Sequence, residues 1–152
     1  MIKIMFVCLG NICRSPMAEF VFRQIAAERG GEFEIASSAT SPEEEGNAVY
    51  PPAAVILARH GIDCRGKRAV PFTADDYEYY DYVVCMETAN VRAIRRKTGN
   101  DPLSKVSRLL DFSDNPRDIS DPWYTRDFET AYNDIYEGCT ALYDYVIKEA
   151  IS

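Results

Sequence analysis

An α/β fold, with a parallel sheet covered by helices on both faces, is what three features of this sequence predict. Short apolar, β-branched segments alternate with stretches of helical periodicity, Gly, Pro or acidic residues punctuate the joints, and the chain finishes in a long amphipathic helix. Four strands are expected. At 152 residues the chain has the size of one ordinary domain, able to bury roughly two thirds of its unfolded surface. A single domain over residues 1–152 is therefore the expectation.

Residues Ile2 to Val7 are apolar or β-branched apart from Lys3 and read as a buried strand running into Cys8-Leu9-Gly10-Asn11. A helix follows, with Ser15 as its expected cap, Pro16 at its first position and Glu19 in its first turn. Ala18, Val21, Phe22, Ile25 and Ala26 recur on one face until Gly30-Gly31. Phe33 to Ser38 is a second strand, followed by an acidic loop at Glu43, Glu44 and Glu45. A helix then opens at Pro51-Pro52 and closes near Gly61, with His60 at its C-terminal cap. The tyrosines at 77, 79, 80 and 82, interleaved with acids, read as surface and strand packing, with a kinase target as the alternative. Tyr82 to Met86 is a third strand, about Glu87 to Lys97 a helix, and Val106 to Leu110 a fourth strand. From about Thr125, Phe128, Tyr132, Ile135, Cys139, Leu142 and Val146 recur at steps of four and three and predict the closing helix.

Composition excludes several functions. Hydrophobic residues are 47% and charged residues 27% of the chain, a globular balance. The longest apolar runs fall far short of the about 20 residues a membrane span needs. The N-terminus starts directly on a strand with no leader pattern, so a cytoplasmic protein without a membrane partner is expected. A net charge of −7 disfavours nucleic acid, which is held by clustered Lys and Arg, and any anion site must be a local pocket. Five cysteines at 8, 13, 64, 85 and 139 and one histidine have no zinc-type spacing, so no metal and no cofactor are expected. Reduced thiols are expected, with Cys64, Cys85 and Cys139 as packing.

The segment Cys8-Leu9-Gly10-Asn11-Ile12-Cys13-Arg14-Ser15 puts a thiol and a guanidinium at the two ends of a tight loop on a helix start. Free N–H groups, the helix dipole and inward-pointing loop amides together suit a tetrahedral oxyanion such as phosphate. Gly10 and Asn11 tolerate left-handed backbone angles. Arg14 adds a planar fork that can hold two phosphate oxygens. A thiol in that field has its pKa lowered from about 8.5 into the range of roughly 3.5 to 7.5, so Cys8 is expected as a thiolate that attacks phosphorus. Ser15 could hydrogen-bond the sulfur and help it leave. Cys and Arg at this spacing also fit a buried cysteine before an ordinary turn, and it is the strand before and the Ser-Pro helix start after that favour the chemistry.

A leaving alkoxide or phenolate needs a proton, and Asp121-Pro122-Trp123-Tyr124, in a loop before the last helix, offers one. Asp121 would be the general acid, with Trp123 and Tyr124 as flat walls for an aromatic leaving group. The alternative is a plain Asp-Pro turn with core aromatics.

Val7 through Glu19 and Asp121-Pro122-Trp123-Tyr124, in this order and separation, strongly resemble the low-molecular-weight protein tyrosine phosphatases, and the resemblance covers the whole chain. It implies a four-stranded, flavodoxin-like phosphatase fold and a metal-independent hydrolase. It implies Cys8 as nucleophile, Arg14 as transition-state clamp, and Asp121 as acid and then base. Leu9, Gly10, Asn11, Ile12, Cys13 and Ser15 would form the phosphate loop, with Asn11, Ser15 and Ser37 holding its shape. It further implies that Cys13 can form a reversible disulfide with Cys8; Cys13 as packing is the alternative. The implied substrate is a phosphotyrosine protein, with a cognate tyrosine kinase as a further partner and a monomer as the working state. Ile12 matches tyrosine-directed members, whereas members resembling arginine phosphatases carry Thr there. Glu43 stands where many relatives carry an aromatic, so that wall of the cleft is expected to be acidic. Lys67 replaces a histidine that in some relatives pairs with an acid matching Glu87; a Lys67–Glu87 pair is one expectation and a solvated basic loop the other.

Two rival readings use the same residues. An arsenate reductase would need two further cysteines close together, and Cys64, Cys85 and Cys139 are far apart in sequence. A non-catalytic anion-binding module would be expected to lack the nucleophile, the clamp or the acid.

Overall fold

The computed structural model describes all residues, Met1–Ser152. Strand β1 (Ile2–Cys8) lies between β2 (Phe33–Ala39) and β3 (Tyr82–Cys85), with β4 (Val106–Arg108) at the far edge. All pairings are parallel, running from Ile2 against Phe33 to Cys8 against Ala39 on one side and from Ile4 against Tyr82 to Val7 against Cys85 on the other. Successive strand residues point to opposite faces, and both faces of β1 are covered. Ile4, Phe6 and Cys8 join a large core beneath α1 (Arg14–Arg29), α2 (Pro51–Arg59) and α6 (Phe128–Ala150). Met5 and Val7 join a smaller core with Val83, Cys85, Val91 and Ile94 beneath α3 (Ala74–Tyr79) and α4 (Thr88–Thr98). This two-sided burial explains the near-continuous apolar run of the first strand. No helix is long and apolar enough to cross a membrane.

Local details depart from the sequence reading in five places. Helix α1 begins at Arg14, two residues earlier than expected, and Ser15 does not cap it: the residue before it is Cys13 and no side chain caps its start. Glu19 is not in the first turn but buried at 3% exposure. The fourth strand stops at Arg108 and becomes a 3-10 turn over Leu109–Phe112. Asp111 accepts from the Arg108 backbone at 2.9 Å and from its Nε at 3.0 Å, which closes the turn and sends Leu109 and Leu110 inward together. The closing helix is split. A one-turn helix α5 (Pro122–Thr125) ends at Arg126, whose φ of 61° leaves the helical region, and α6 restarts where Asp127 accepts from Thr130 N–H at 3.0 Å. Helix α3 falls in the acidic tyrosine stretch that the periodicity did not mark; its start is fixed by reciprocal capping between Thr73 and Asp76. Tyr77 and Tyr80 are buried there, in line with the packing reading, and Tyr77 Oη donates to Asp101 at 2.6 Å.

In this strand order the neighbours of β1 lead to opposite sides of the sheet, so the chain diverges from its carboxyl end. Open parallel sheets form ligand crevices at that point, and Cys8 is its last residue.

Helix α6 approaches the 3-10 turn so closely at Gly138 that a Cβ there would lie 2.5 Å from Leu109 Cγ. Leu109 is fully buried and cannot yield. Gly138→Ala should therefore lower stability by about 1–3 kcal/mol through overpacking, overriding the gain of about 1 kcal/mol that alanine normally brings to a helix interior. Urea unfolding measures it; a variant as stable as the parent would show that the turn can retreat.

Candidate active site

The loop from Leu9 to Cys13 wraps around the Cys8 sulfur. Backbone N–H groups of Asn11 and Ser15 point at Sγ from 3.3 and 3.4 Å, and Ser15 Oγ lies 2.9 Å away. Asn11 holds this shape. Its φ is 58°, the left-handed conformation that Asn accepts better than most residues. Its Nδ2 donates to Ser15 Oγ at 2.7 Å and Ser37 Oγ at 2.9 Å, while its Oδ1 accepts from Val70 N–H at 3.1 Å. Gly10 has no positive φ, contrary to the conformational role expected of it. A Cβ there would sit 3.3 Å from Glu44 Cγ, so glycine keeps room for the acidic loop.

Arg14 is 2% exposed, an extreme burial for a cation. Its Nη1 donates to Glu87 Oε2 at 2.5 Å and to the Ile119 carbonyl at 2.8 Å, and its Nη2 reaches Asp121 Oδ2 at 3.3 Å. Burial works against this charge, yet Cys8, Asp121 and Glu87 together hold the Arg14 pKa above its ordinary value. The guanidinium is thus fixed as a cation beside the sulfur. Asp121 is oriented by its own loop, since Oδ1 accepts from Trp123 N–H at 3.0 Å as the cap of α5.

These groups line one cavity of about 200 Å³ together with Leu9, Ile12, Cys13, Glu43, Trp123 and Tyr124. Cys8 lies at 3% exposure, whereas Trp123 and Tyr124 are 45% and 76% exposed, and Trp123 packs on Tyr50 with ring centres 4.8 Å apart. Cys13 faces the same space as Cys8. Burial first, then the negative charge of Cys8 and Asp121, push its pKa up to about 12.

The structure brings the site residues singled out from the sequence to one place: Cys8, Arg14, Asp121, Leu9, Gly10, Ile12, Cys13, Glu43, Trp123 and Tyr124 line the cavity, and Asn11, Ser15 and Ser37 stand behind the loop. It overturns both expectations for Lys67. Lys67 neither pairs with Glu87 nor lies in solvent; its side chain is 13% exposed, donates to the Ser37 carbonyl at 2.9 Å and sits 3.5 Å from Glu19. Burial lowers its pKa, with the nearby Glu19 charge opposing. Glu19 in turn accepts from Ser37 Oγ at 2.5 Å and pairs with Arg23 at 2.6 Å. Sequence reasoning missed Glu87 as the anchor of Arg14, and missed Glu44 as a second acid on the cavity wall. The position of Glu87, two residues past the end of β3, was a usable signal, because crevices in such sheets are lined from strand ends. Cys85 and Cys139 lie in different cores on opposite sheet faces, so they cannot form a relay pair.

The family model described as low molecular weight phosphotyrosine protein phosphatase matches residues 3–151. The chain is 37% identical to the low molecular weight protein-tyrosine-phosphatase YfkJ of Bacillus subtilis, covering 98% of each sequence. The crystal structure of YfkJ superimposes with a TM-score of 0.95, covering 98% of this chain and 96% of that one. Identity to PtpA of Staphylococcus aureus, also a low molecular weight protein-tyrosine-phosphatase, is 36% over 99% of this chain and 97% of the relative. The Streptococcus pyogenes low molecular weight protein tyrosine phosphatase SP-PTP is 35% identical in its crystal structure, with a TM-score of 0.83 over 97% of this chain and 93% of that one.

Asn11→Ala removes three hydrogen bonds, strands the Val70 N–H and asks alanine to hold a left-handed conformation. It should destabilise the protein by about 2–4 kcal/mol and weaken binding of inorganic phosphate, measured by urea unfolding and by phosphate titration. A loss below about 1 kcal/mol would mean that the loop keeps its shape without this side chain.

Proposed function

Because this chain belongs to the low molecular weight protein-tyrosine-phosphatase family, we propose that it hydrolyses phosphotyrosine in proteins, and small aryl phosphates, through a phosphocysteine intermediate on Cys8. The single observation that carries this reading is the convergence on Cys8 Sγ of two backbone N–H groups and the Ser15 hydroxyl, in one cavity with Arg14 and Asp121. The phosphoryl group enters the loop, where amides and the α1 dipole hold its oxygens. It also competes with Asp121 for Arg14 Nη2, whose contact at 3.3 Å is the longest the guanidinium makes. Arg14 then clamps the anion while Glu87 and the Ile119 carbonyl keep Nη1 in position.

In the first step the Cys8 thiolate forms an S–P bond as the P–O bond to the tyrosine ring breaks, and Asp121 gives its proton to the leaving phenolate oxygen. In the second, the Asp121 carboxylate takes a proton from water as the water oxygen attacks phosphorus. The S–P bond breaks, Ser15 Oγ–H stabilises the departing thiolate, and inorganic phosphate leaves. The depth of Cys8 beneath the exposed Trp123 and Tyr124 supports an aryl substrate, since a long rigid side chain reaches the floor while its ring rests on the aromatic rim. Ile12 on the wall supports the tyrosine-directed reading.

Turnover of p-nitrophenyl phosphate, under reducing conditions with a chelator present, tests the mechanism. Cys8→Ser should abolish it. Asp121→Asn should slow phenyl phosphate, a poor leaving group, by about 10²–10⁴-fold while slowing p-nitrophenyl phosphate much less. Full activity in Cys8→Ser, or equal losses on the two substrates in Asp121→Asn, would overturn these roles.

The same pocket supports a redox role for Cys13. Peroxide would oxidise the Cys8 thiolate to a sulfenic acid, and Cys13 would displace water from it to form a disulfide. Forming the sulfenic acid removes the neighbouring negative charge that helps hold the Cys13 thiol protonated. After a peroxide pulse, dithiothreitol should restore most activity to the parent and little to Cys13→Ser; equal recovery would remove Cys13 from that role.

A further inference from the structure

A second cavity, a groove of about 510 Å³, begins at Leu9, the first residue of the phosphate loop. Its walls are Leu9, Thr40 and Ser41 on one side and Ala89, Ala93, Arg96 and Lys97 of α4 on the other. Leu9 and Ser41 also line the catalytic cavity, so the two spaces are neighbours on either side of these residues. Leu9 itself is 47% exposed, a large apolar side chain standing at the junction.

The charge of this groove is unusual for the molecule. The chain as a whole carries −7, yet α4 holds Arg92, Arg95, Arg96 and Lys97 and no acidic residue. All four are exposed and none takes part in a salt bridge. Cations left unpaired in an acidic protein give a local field of the sign that attracts a carboxylate. Glu43 and Glu44, on the wall of the catalytic cavity, present the opposite sign. The rim is therefore polarised, acidic beside the catalytic pocket and basic along the groove.

We propose that this groove binds the polypeptide flanking the phosphotyrosine and selects substrates with acidic side chains on one flank. The inference rests on the phosphatase reading and deepens it. Helix geometry sets the spacing. Ala89 lies at the start of α4, two residues after the Arg14 anchor Glu87, while Arg96 and Lys97 lie about 11–12 Å further along at the helical rise of about 1.5 Å per residue. An extended peptide advancing about 3.3 Å per residue covers that in three to four residues. Ala89 and Ala93, with only a methyl group each, keep the α4 wall low enough for a backbone to pass. An acid about three to five residues from the phosphotyrosine thus reaches Arg96 and Lys97, and an acid on the other flank meets Glu43 and Glu44.

The test is kcat/KM on three phosphotyrosine peptides that are identical except for a pair of glutamates three to five residues before the phosphotyrosine, the same pair after it, or none. One glutamate peptide should exceed the neutral one by about fivefold at low salt, the size expected of two solvent-exposed ion pairs. The advantage should vanish in 0.5 M salt and in an Arg96→Ala/Lys97→Ala variant. Turnover of p-nitrophenyl phosphate, which has nothing beyond its ring to reach α4, should not change in that variant. Equal rates on all three peptides, or a preference that survives the double substitution, would overturn the groove. An enzyme inactive on every substrate would instead overturn the phosphatase reading; fluorescence anisotropy of the same peptides would then decide the groove by the same order of affinities.

Discussion

Keeping a buried sulfur surrounded by hydrogen-bond donors is the constraint on which the rest of this structure depends. Cys8 ends the central strand, and everything within 3.5 Å that points at its sulfur comes from the loop that follows or from the first turn of α1. Such a loop cannot relax into an ordinary turn. It is held by Asn11 in a left-handed conformation, bonded to Ser15, Ser37 and Val70 from three separate segments. The sheet supplies the rigid floor, because β1 is hydrogen-bonded on both edges and buried on both faces. A site built on strand ends and a helix start needs little reorganisation when an anion arrives.

The buried guanidinium follows from the same constraint. A cation at 2% exposure is tolerable only with compensating charge, and Arg14 has the sulfur, Asp121 and Glu87 around it. Glu87 and the Ile119 carbonyl take one nitrogen and hold the orientation, which leaves the Asp121 side of the fork as the weaker and more exchangeable contact. Behind the loop a second charged cluster repeats this logic. Glu19 faces two cations, Arg23 and Lys67, and accepts from Ser37, so the buried polar groups under the loop all have partners.

Electrostatics at the surface divide the molecule. The chain is acidic overall, while α4 carries four basic residues and no acid. The pocket has one cation, Arg14, among several acids, so what it offers an anion is fixed amide dipoles and one buried arginine rather than a general basic surface. The aromatic rim and the two acids at positions 43 and 44 border its mouth. Fold alone sets none of these groups; they are side chains on loops at one end of the sheet.

Most of the architecture, and the loop residues that the structure gathers around Cys8, were legible in the sequence, because both are carried by local patterns. Short continuous apolar runs and runs of period 3.6 mark strands and helices wherever burial is strong, and the thiol, glycine, asparagine, arginine and Ser-Pro helix start lie within nine consecutive residues. Where burial was weak or the backbone turned for reasons lying elsewhere in the chain, the pattern failed. The start of α1, the short β4, α3 and the break at Arg126 are set by capping and by contacts with distant elements. The partners of charged side chains were the least legible. Lys67 pairing with Glu19 rather than Glu87, and Glu87 pairing with Arg14, depend on which strand ends lie side by side. The sequence by itself determined the chemistry available, since that needs only residue types at short spacing. The tertiary structure alone decided which charges meet, because separations of 48 and 73 residues are closed only by the order of strands in the sheet.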